Sequence, residues 1–215
     1  MSRRTAGHGG AHEVSATGPR PAPVRRGGAL AWLLARAFTG GRVAAALATP
    51  AALLILVPYL LRRAVYESDD RNGMVLFCRH RPVVDVVLVL VVGALLLTFG
   101  SLVELVLPDG WRGGLVFAGL VFGAVALGAV LMSRGMPLVD VVGPETPAGP
   151  RWALMGLAQR PGTRYSALLL TRRLLRGLRP GDVVVAAAAD ERLAEAYERF
   201  GFTRTRHRRV HRVIP

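Results

Sequence analysis

The chain of 215 residues is 52% hydrophobic and has a formal net charge of +14, and all 28 of its basic residues are arginine. The apolar residues are gathered in long runs, which indicates membrane segments, and the single Cys78 excludes an internal disulfide. Arginine without lysine, beside abundant alanine, glycine and valine, is typical of a GC-rich bacterial genome, so the charge favours anionic lipid headgroups and is not read as a nucleic-acid signal.

Residues 1–28 contain few large apolar side chains. Such a segment cannot bury enough surface to offset the entropy lost on ordering, so we predict a disordered tail. His8 and His12 lie in this glycine-rich tail and are predicted to be solvated. No metal site is predicted.

Residues 29–136 are predicted to form an α-helical membrane region with two to three spans. The pattern of Ala29 to Phe38 is typical of an amphipathic helix at the interface, with Trp32 at headgroup depth. Three apolar runs follow, each near the roughly 20 residues that cross a bilayer. They are Val43 to Leu61, Val83 to Leu107 and Gly114 to Met132.

The first run leaves two alternatives open. Pro50 and Pro58 kink it and arginines flank both its ends, so it either spans fully or forms a re-entrant or interfacial hairpin. In the third run, Gly119 and Gly123 form a Gly-x-x-x-Gly match that would allow another helix to approach closely. That helix is either the second run or a second copy of the chain in a homodimer.

Arginine is scarce between the second and third runs and frequent on either side of them. The positive-inside tendency therefore predicts that the C-terminal part faces the cytoplasm from a bacterial inner membrane. Gly73 to His80 is predicted to be a short loop or strand at the membrane face. Cys78 and His80 lie there, but no third group orients them as a catalytic pair would require.

Residues 137–215 are predicted to form a small α/β domain, which makes the chain α+β. The order is strand, strand, helix, strand, helix and an arginine-rich tail. A β-hairpin of Leu138 to Val142 with Trp152 to Ala158 is followed by a helix from Ser166, a strand at Val183 to Ala187 and a helix at Asp190 to Phe200. Arg204 to Arg212 lack the interleaved aromatic residues of nucleic-acid binding, so a lipid-facing surface is favoured.

Two segments of this domain contain sequence motifs. Gln159-Arg-Pro-Gly162-Thr-Arg164 lies between a strand and a helix, where small residues and the helix dipole favour a pyrophosphate. Asp182 to Phe202 contains a helix with Tyr197 and ends in Gly-Phe. Together they resemble the C-terminal half of the GCN5-related N-acetyltransferase (GNAT) family, which has Gln/Arg-x-x-Gly-x-Gly/Ala and then Asn-x-x-Ala-x-x-x-Tyr before Gly-Phe. The chain departs from this pattern at Arg164, Asp190 and Leu193.

The resemblance implies a membrane-anchored N-acyltransferase that moves an acetyl or other acyl group from coenzyme A to an amine. It implies Tyr197 as the general acid for the departing thiolate. It implies that acetyl-CoA, or another acyl-CoA, is the cosubstrate and that one loop binds it; the loop residues are Gln159, Arg160, Gly162, Thr163 and Arg164.

The family takes its acceptor site and base from an N-terminal strand and two helices, where this chain has apolar runs. Asp140 and Glu145 are the nearest acidic candidates for the base. Each motif also has a structural interpretation: Gly162 as a loop glycine, Tyr197 as a core residue and Gly201 as a helix C-cap. The alternative function is therefore a non-catalytic membrane protein whose degenerate domain binds acyl-CoA or a partner.

Overall fold

The computed structural model describes residues 19–81, 123–132, 141–163 and 165–215, together with positions 83, 84, 87, 91, 94, 98 and 119. These residues build one six-stranded mixed sheet with helices packed against it. The predicted α+β class is confirmed.

The helices and strands follow one another along the chain with these bounds: α1 (Gly27–Thr39), α2 (Arg42–Leu61), β1 (Val65–Glu67), β2 (Gly73–Arg79), α3 (Gly123–Met132), β3 (Arg151–Gln159), α4 (Ser166–Arg176), β4 (Val183–Ala187), α5 (Glu191–Arg199), β5 (Thr203–Arg204) and β6 (Arg209–Val213). The strand order in the sheet is β1-β2-β3-β4-β6-β5. β3 and β4 run parallel, and every other neighbouring pair is antiparallel.

Strands from both sides of the predicted domain boundary near residue 137 belong to one sheet: β1 and β2 come before it and β3 to β6 after it. β2, which was expected at the membrane face, is an inner strand in which every residue but the last is buried. It pairs antiparallel with β1 on one side and with β3 on the other, where Arg79 lies opposite Trp152. The predicted hairpin partner of β3, Leu138 to Val142, is wrong for its described residues: Val141 and Val142 are not in a strand and pack over the sheet.

Two layers of helix cover the sheet. On one face, α1 and α2 enclose a core with residues of β1, β2 and β3. On the other face, α4 and α5 pack over β2, β3, β4 and β6. α1 was expected to lie at a membrane interface, but its apolar side chains, among them Leu30 and Leu34, are buried in the first of these cores. An amphipathic pattern alone does not show whether the apolar face of a helix packs on a sheet or lies on a membrane.

α2 runs without a break through Pro50 and Pro58 and buries a stripe of alanines and leucines against the same core. Among the described residues it is the one helix long and apolar enough to cross a membrane, and 39% of its apolar window is buried inside the protein. A core helix of a soluble protein meets the same criteria. Most of the run at 83–107 lies outside the described residues, as do residues 114–118 and 120–122 of the run at 114–132.

A close contact joins α3 to α2 at Gly128. A methyl group on Gly128 would lie 2.8 Å from Cβ of Ala51 and 3.1 Å from Cα of Ala48, so only glycine allows this approach. No described atom lies within 4 Å of such a group on Gly119 or Gly123. Among the described residues, the close contact of this segment with α2 is at Gly128, while the second run, one predicted partner of Gly119 and Gly123, lies mostly outside them.

The predicted tail, residues 1–28, is ordered over its described part. Pro21 bridges to Tyr66, and the Ala22 N–H donates to the Val65 carbonyl at 2.8 Å. A 3-10 turn, Val24–Arg26, then leads into α1. Residues 1–18 lie outside the described part.

Candidate functional site

The turn between β3 and α4 has the backbone that its sequence requires. The Thr163 N–H and hydroxyl donate to the Arg160 carbonyl at 3.1 and 2.6 Å, and Gln159 Nε2 donates to the Thr163 carbonyl at 3.3 Å. Pro161 in the second position and Gly162, with φ +86°, in the third are the residues that a type II turn favours. No described atom lies within 4 Å of a methyl group placed on Gly162, so the turn faces open space.

The predicted binding residues differ in exposure. Arg160 and Gly162 are exposed, whereas Gln159 and Thr163 are half-buried. Arg164 lies outside the described residues. Tyr165 then adopts a left-handed conformation, with φ 68°, and α4 begins at Ser166 without a side-chain cap from Tyr165. The first N–H groups of a helix without a cap are available to an anion.

An aspartate from the loop between β1 and β2 lies beside this helix start. The Ser166 hydroxyl donates to Asp70 Oδ2 at 2.7 Å, and Asp70 also accepts from Ser68 and from Asn72. These hydrogen bonds, that of Ser68 first and that of Ser166 next, hold the pKa of Asp70 far below its usual range. Asp70 was not among the site residues predicted from the sequence, although Ser68-x-Asp70-x-Asn72 is a pattern in which short polar side chains fold onto a turn.

The loop comes close to α4 because β2 begins with glycine. A methyl group on Gly73 would lie 2.6 Å from the Ala167 backbone nitrogen. Gly73 pairs with Gln159 in the sheet, so the same register brings the loop to the β3–α4 turn.

β3 extends beyond the end of β4 before it reaches this turn. They pair from Arg151 with Val183 to Leu154 with Ala186, after which β3 continues to Gln159 with no further pairing to β4. The register between β2 and β3 shifts in this part of β3, where Gly156 has φ +54°. A bulge of this kind bends a strand away from its neighbour. The pairing covers Val183 to Ala186 of β4 and stops because β4 ends at Ala187, while β3 continues alone on this side to the turn.

Tyr197 lies on α5, on the same face of the sheet as α4. Its side chain is 3% exposed and belongs to a cluster with Leu170 of α4 and Val184 of β4. Burial raises the pKa of Tyr197 well above its ordinary value, so the phenol keeps its proton at neutral pH. The burial fits a core residue as well as a proton donor in a dry site.

Residues at both ends of the helix that carries Tyr197 have capping roles. The Asp190 carboxylate accepts from the Leu193 N–H at 2.7 Å and is the N-cap of α5. Gly201 has φ +79° and its N–H donates to Glu198, while the Phe202 N–H donates to the Tyr197 carbonyl. This is a Schellman motif, in which glycine is the usual residue at the left-handed position.

The acidic candidates for a base do not converge on the turn within the described residues. Asp140 lies outside them. Glu145 is exposed, with its carboxylate 3.8 Å from Arg206 Nε in the C-terminal segment. The part of the chain that the structure describes contains no group of three or more His, Cys, Asp or Glu that could hold a metal ion.

The arginine-rich C-terminal segment forms β5, a short 3-10 turn and β6 at one edge of the sheet. Several of its guanidinium groups form hydrogen bonds or ion pairs with other parts of the same chain. Arg212 donates to the Phe200 carbonyl at 2.6 Å, Arg208 donates to the Ala189 carbonyl at 2.5 Å, and Arg204 forms an ion pair with Glu191. Their charge is therefore used in part to hold α5 against the sheet.

No protein-family model matches the chain, and no curated protein sequence does so either.

Proposed function

We propose that the chain is a membrane-anchored, GNAT-like N-acyltransferase. The acceptor amine would attack the thioester carbonyl of an acyl-CoA, the C–S bond would break, and the coenzyme A thiolate would leave with a proton. The observation that supports the proposal is the Gly162 turn, which faces open space at the end of β3 and leads into a helix start without a side-chain cap. A pyrophosphate is the group that such a start favours.

In this proposal the pyrophosphate rests on the turn from Gln159 to Arg164. Gly162 allows the backbone to approach it, and Arg160 adds a guanidinium that pairs with phosphate oxygens. Tyr197 supplies the proton to the thiolate, which is consistent with a phenol that burial keeps protonated.

We further propose that the anchor is inserted between β2 and β3. Arg79 at the end of β2 lies opposite Trp152 at the start of β3, so the segment between them leaves and re-enters the sheet at one end. Val83, Val87 and Val91 are helical and 75%, 51% and 48% exposed, which puts apolar side chains at four-residue spacing on the outside. Such a face suits lipid contact.

The runs at 83–107 and 114–132 would then form a two-span hairpin in a bacterial inner membrane, with the sheet on the cytoplasmic side. α2 is proposed as a third apolar helix that packs on the sheet, because its buried stripe belongs to the sheet's own core.

The second candidate is a non-catalytic protein that binds acyl-CoA through the same turn. One observation favours it: packing and helix capping account for Tyr197, Gly201 and Phe202 without any chemistry. Such a protein would bind acyl-CoA but would not transfer its acyl group to an amine.

Calorimetric titration of the full chain in detergent with acetyl-CoA tests both candidates. We expect micromolar affinity, which corresponds to about −8 kcal/mol. Arg160→Gln should weaken it, and Arg172→Gln, on the exposed face of α4, should not. No heat with acetyl-CoA or longer thioesters would exclude both candidates, while binding without transfer to any of a panel of amines would select the second.

A further inference from the structure

A basic cleft lies at the end of the sheet where β3 meets the Gly162 turn. Its volume is about 400 Å³, within the roughly 300–1,000 Å³ of small-molecule sites. It is bounded by α1, the start of α2, the β1–β2 loop and the β3–α4 turn. Its lining includes the side chains of Arg26, Trp32, Arg42, Glu67, Arg71 and Arg160.

Positive charge in this cleft far exceeds negative charge. Five arginines line it, the fifth being Arg36, against the single carboxylate of Glu67. Glu67 is already paired with Arg26 at 2.5 Å. The remaining guanidinium groups repel one another, and an anion between them would relieve that repulsion.

The arginines also have unused hydrogen-bond donors. Within the described residues, the side chains of Arg42, Arg71 and Arg160 have no hydrogen-bond or ion-pair partner, and Arg26 Nε is buried without one. The exposed guanidinium groups of Arg42, Arg71 and Arg160 therefore keep their donors for a ligand.

Arg71 is held in the cleft by its loop. Its backbone has φ 55°, which is unusual for a residue with a side chain, and its N–H donates to the Ser68 carbonyl at 2.8 Å. Asp70 and Asn72, on either side of it, are bonded to each other. The loop therefore fixes the direction of the Arg71 backbone before any ligand binds.

We propose that this cleft binds a phosphate ester. Guanidinium groups match phosphate oxygens in pairs, and several arginines around one cavity are suited to a dianion. Trp32 is 39% exposed and lines the same cleft, so it offers an aromatic surface to the organic part of the ligand. The phosphate belongs either to a soluble ester or to a lipid headgroup, and the cleft recognises what the two share.

The cleft is distinct from the site proposed for acyl-CoA. α1 covers the opposite face of the sheet from α4 and Tyr197, and Arg160 is the residue that both sites use. Binding here can therefore be measured apart from acyl transfer.

The test compares two double variants of the full chain in detergent. Arg42→Gln with Arg71→Gln removes charge from the cleft, and Arg172→Gln with Arg176→Gln removes equal charge from the exposed face of α4. Phenyl phosphate titrated by calorimetry probes the soluble source. Cosedimentation with phosphatidylcholine vesicles, with and without phosphatidic acid, probes the lipid source.

We expect the cleft variant to lose at least about tenfold in affinity for one of the two probes, since two charge-assisted contacts are removed. The α4 variant should change less than twofold. Both variants should unfold at the wild-type temperature, because the four arginines are exposed.

If both variants lost affinity for the phosphate probes equally, the loss would follow from net charge alone, and this result would overturn the inference. So would a wild-type chain that binds neither phenyl phosphate nor phosphatidic acid, even if it binds acetyl-CoA. Phosphate binding at the cleft without any acetyl-CoA binding would instead support the inference and remove the proposed function.

Discussion

The rings of Tyr197 and Phe202 lie with their centroids 5.2 Å apart and their planes tilted by 55°. The backbone brings them together, because the Phe202 N–H donates to the Tyr197 carbonyl at 3.1 Å across the left-handed Gly201. A contact between these two positions is the usual companion of a Schellman motif. The Tyr-x-x-x-Gly-Phe pattern therefore has a structural cause of its own, and any chemical role of Tyr197 must be tested separately from its packing.

Replacement of Tyr197 by phenylalanine separates the two roles, because it keeps the ring and removes the hydroxyl. No hydrogen bond of this hydroxyl is seen among the described residues, so we expect the unfolding temperature to shift by only a few degrees. If Tyr197 is the general acid, acyl transfer should fall by about 10²- to 10⁴-fold while acetyl-CoA affinity is kept. Undiminished transfer in this variant would exclude the acid role.

Gly201→Ala should destabilise the protein by about 1–2 kcal/mol, since an L-residue pays this to adopt the left-handed conformation. Gly177→Ala is the matched control. Gly177 also ends a helix, α4, but its φ is −85°. There alanine restricts the unfolded chain and should be neutral or stabilising by up to about 1 kcal/mol. Urea unfolding of both variants measures the difference, and equal effects would contradict the capping argument.

The elements from β3 to α5 were predicted to within a few residues because their signals are local. Asp190 caps α5 by accepting from the Leu193 N–H, only three residues further along the chain. Gly162 directly follows Pro161, and these two residues together favour the turn after β3.

The partner of β2 could not be predicted from the sequence. β2 is a short apolar strand followed closely by long apolar runs, and its partner β3 begins only after residue 150. The hydrogen bond from Ser166 to Asp70 joins residues 96 positions apart. Nothing local in either residue indicates the other, so the loop beside the candidate site and the basic cleft emerged only from the fold.

The contact of α3 with α2 predicts opposite effects for two glycines. Gly128→Ala would bring a methyl group to 2.8 Å from the Ala51 side chain, and we expect a loss of about 1–3 kcal/mol from overpacking. Gly123→Ala meets no described atom within 4 Å and should gain up to about 1 kcal/mol from helix propensity. Thermal unfolding in detergent distinguishes them. A Gly128 variant as stable as wild type would show that the helices do not pack at this position.

The depressed pKa of Asp70 predicts a pH-dependent contribution to stability. A carboxyl whose folded pKa lies below its unfolded value of about 4 stabilises the fold fully above that value and loses the contribution as pH falls through the folded pKa. Asp70→Asn should therefore lower the unfolding temperature at pH 7, and the difference from wild type should shrink as the pH falls from about 5 to about 2.5. Because Asp70 is exposed, solvent screening keeps the effect small.

Asp69→Asn is the matched control. Asp69 pairs with Arg173 at 2.5 Å, but its side chain is 85% exposed, and such a pair contributes little. The same two variants probe the candidate site, since Asp70 places a negative charge beside the start of α4 and that charge opposes an incoming phosphate. Asp70→Asn should therefore raise acetyl-CoA affinity by about two- to fivefold, as expected for loss of one screened charge at a helix terminus. Unchanged affinity in this variant would argue that acyl-CoA does not bind at the α4 start.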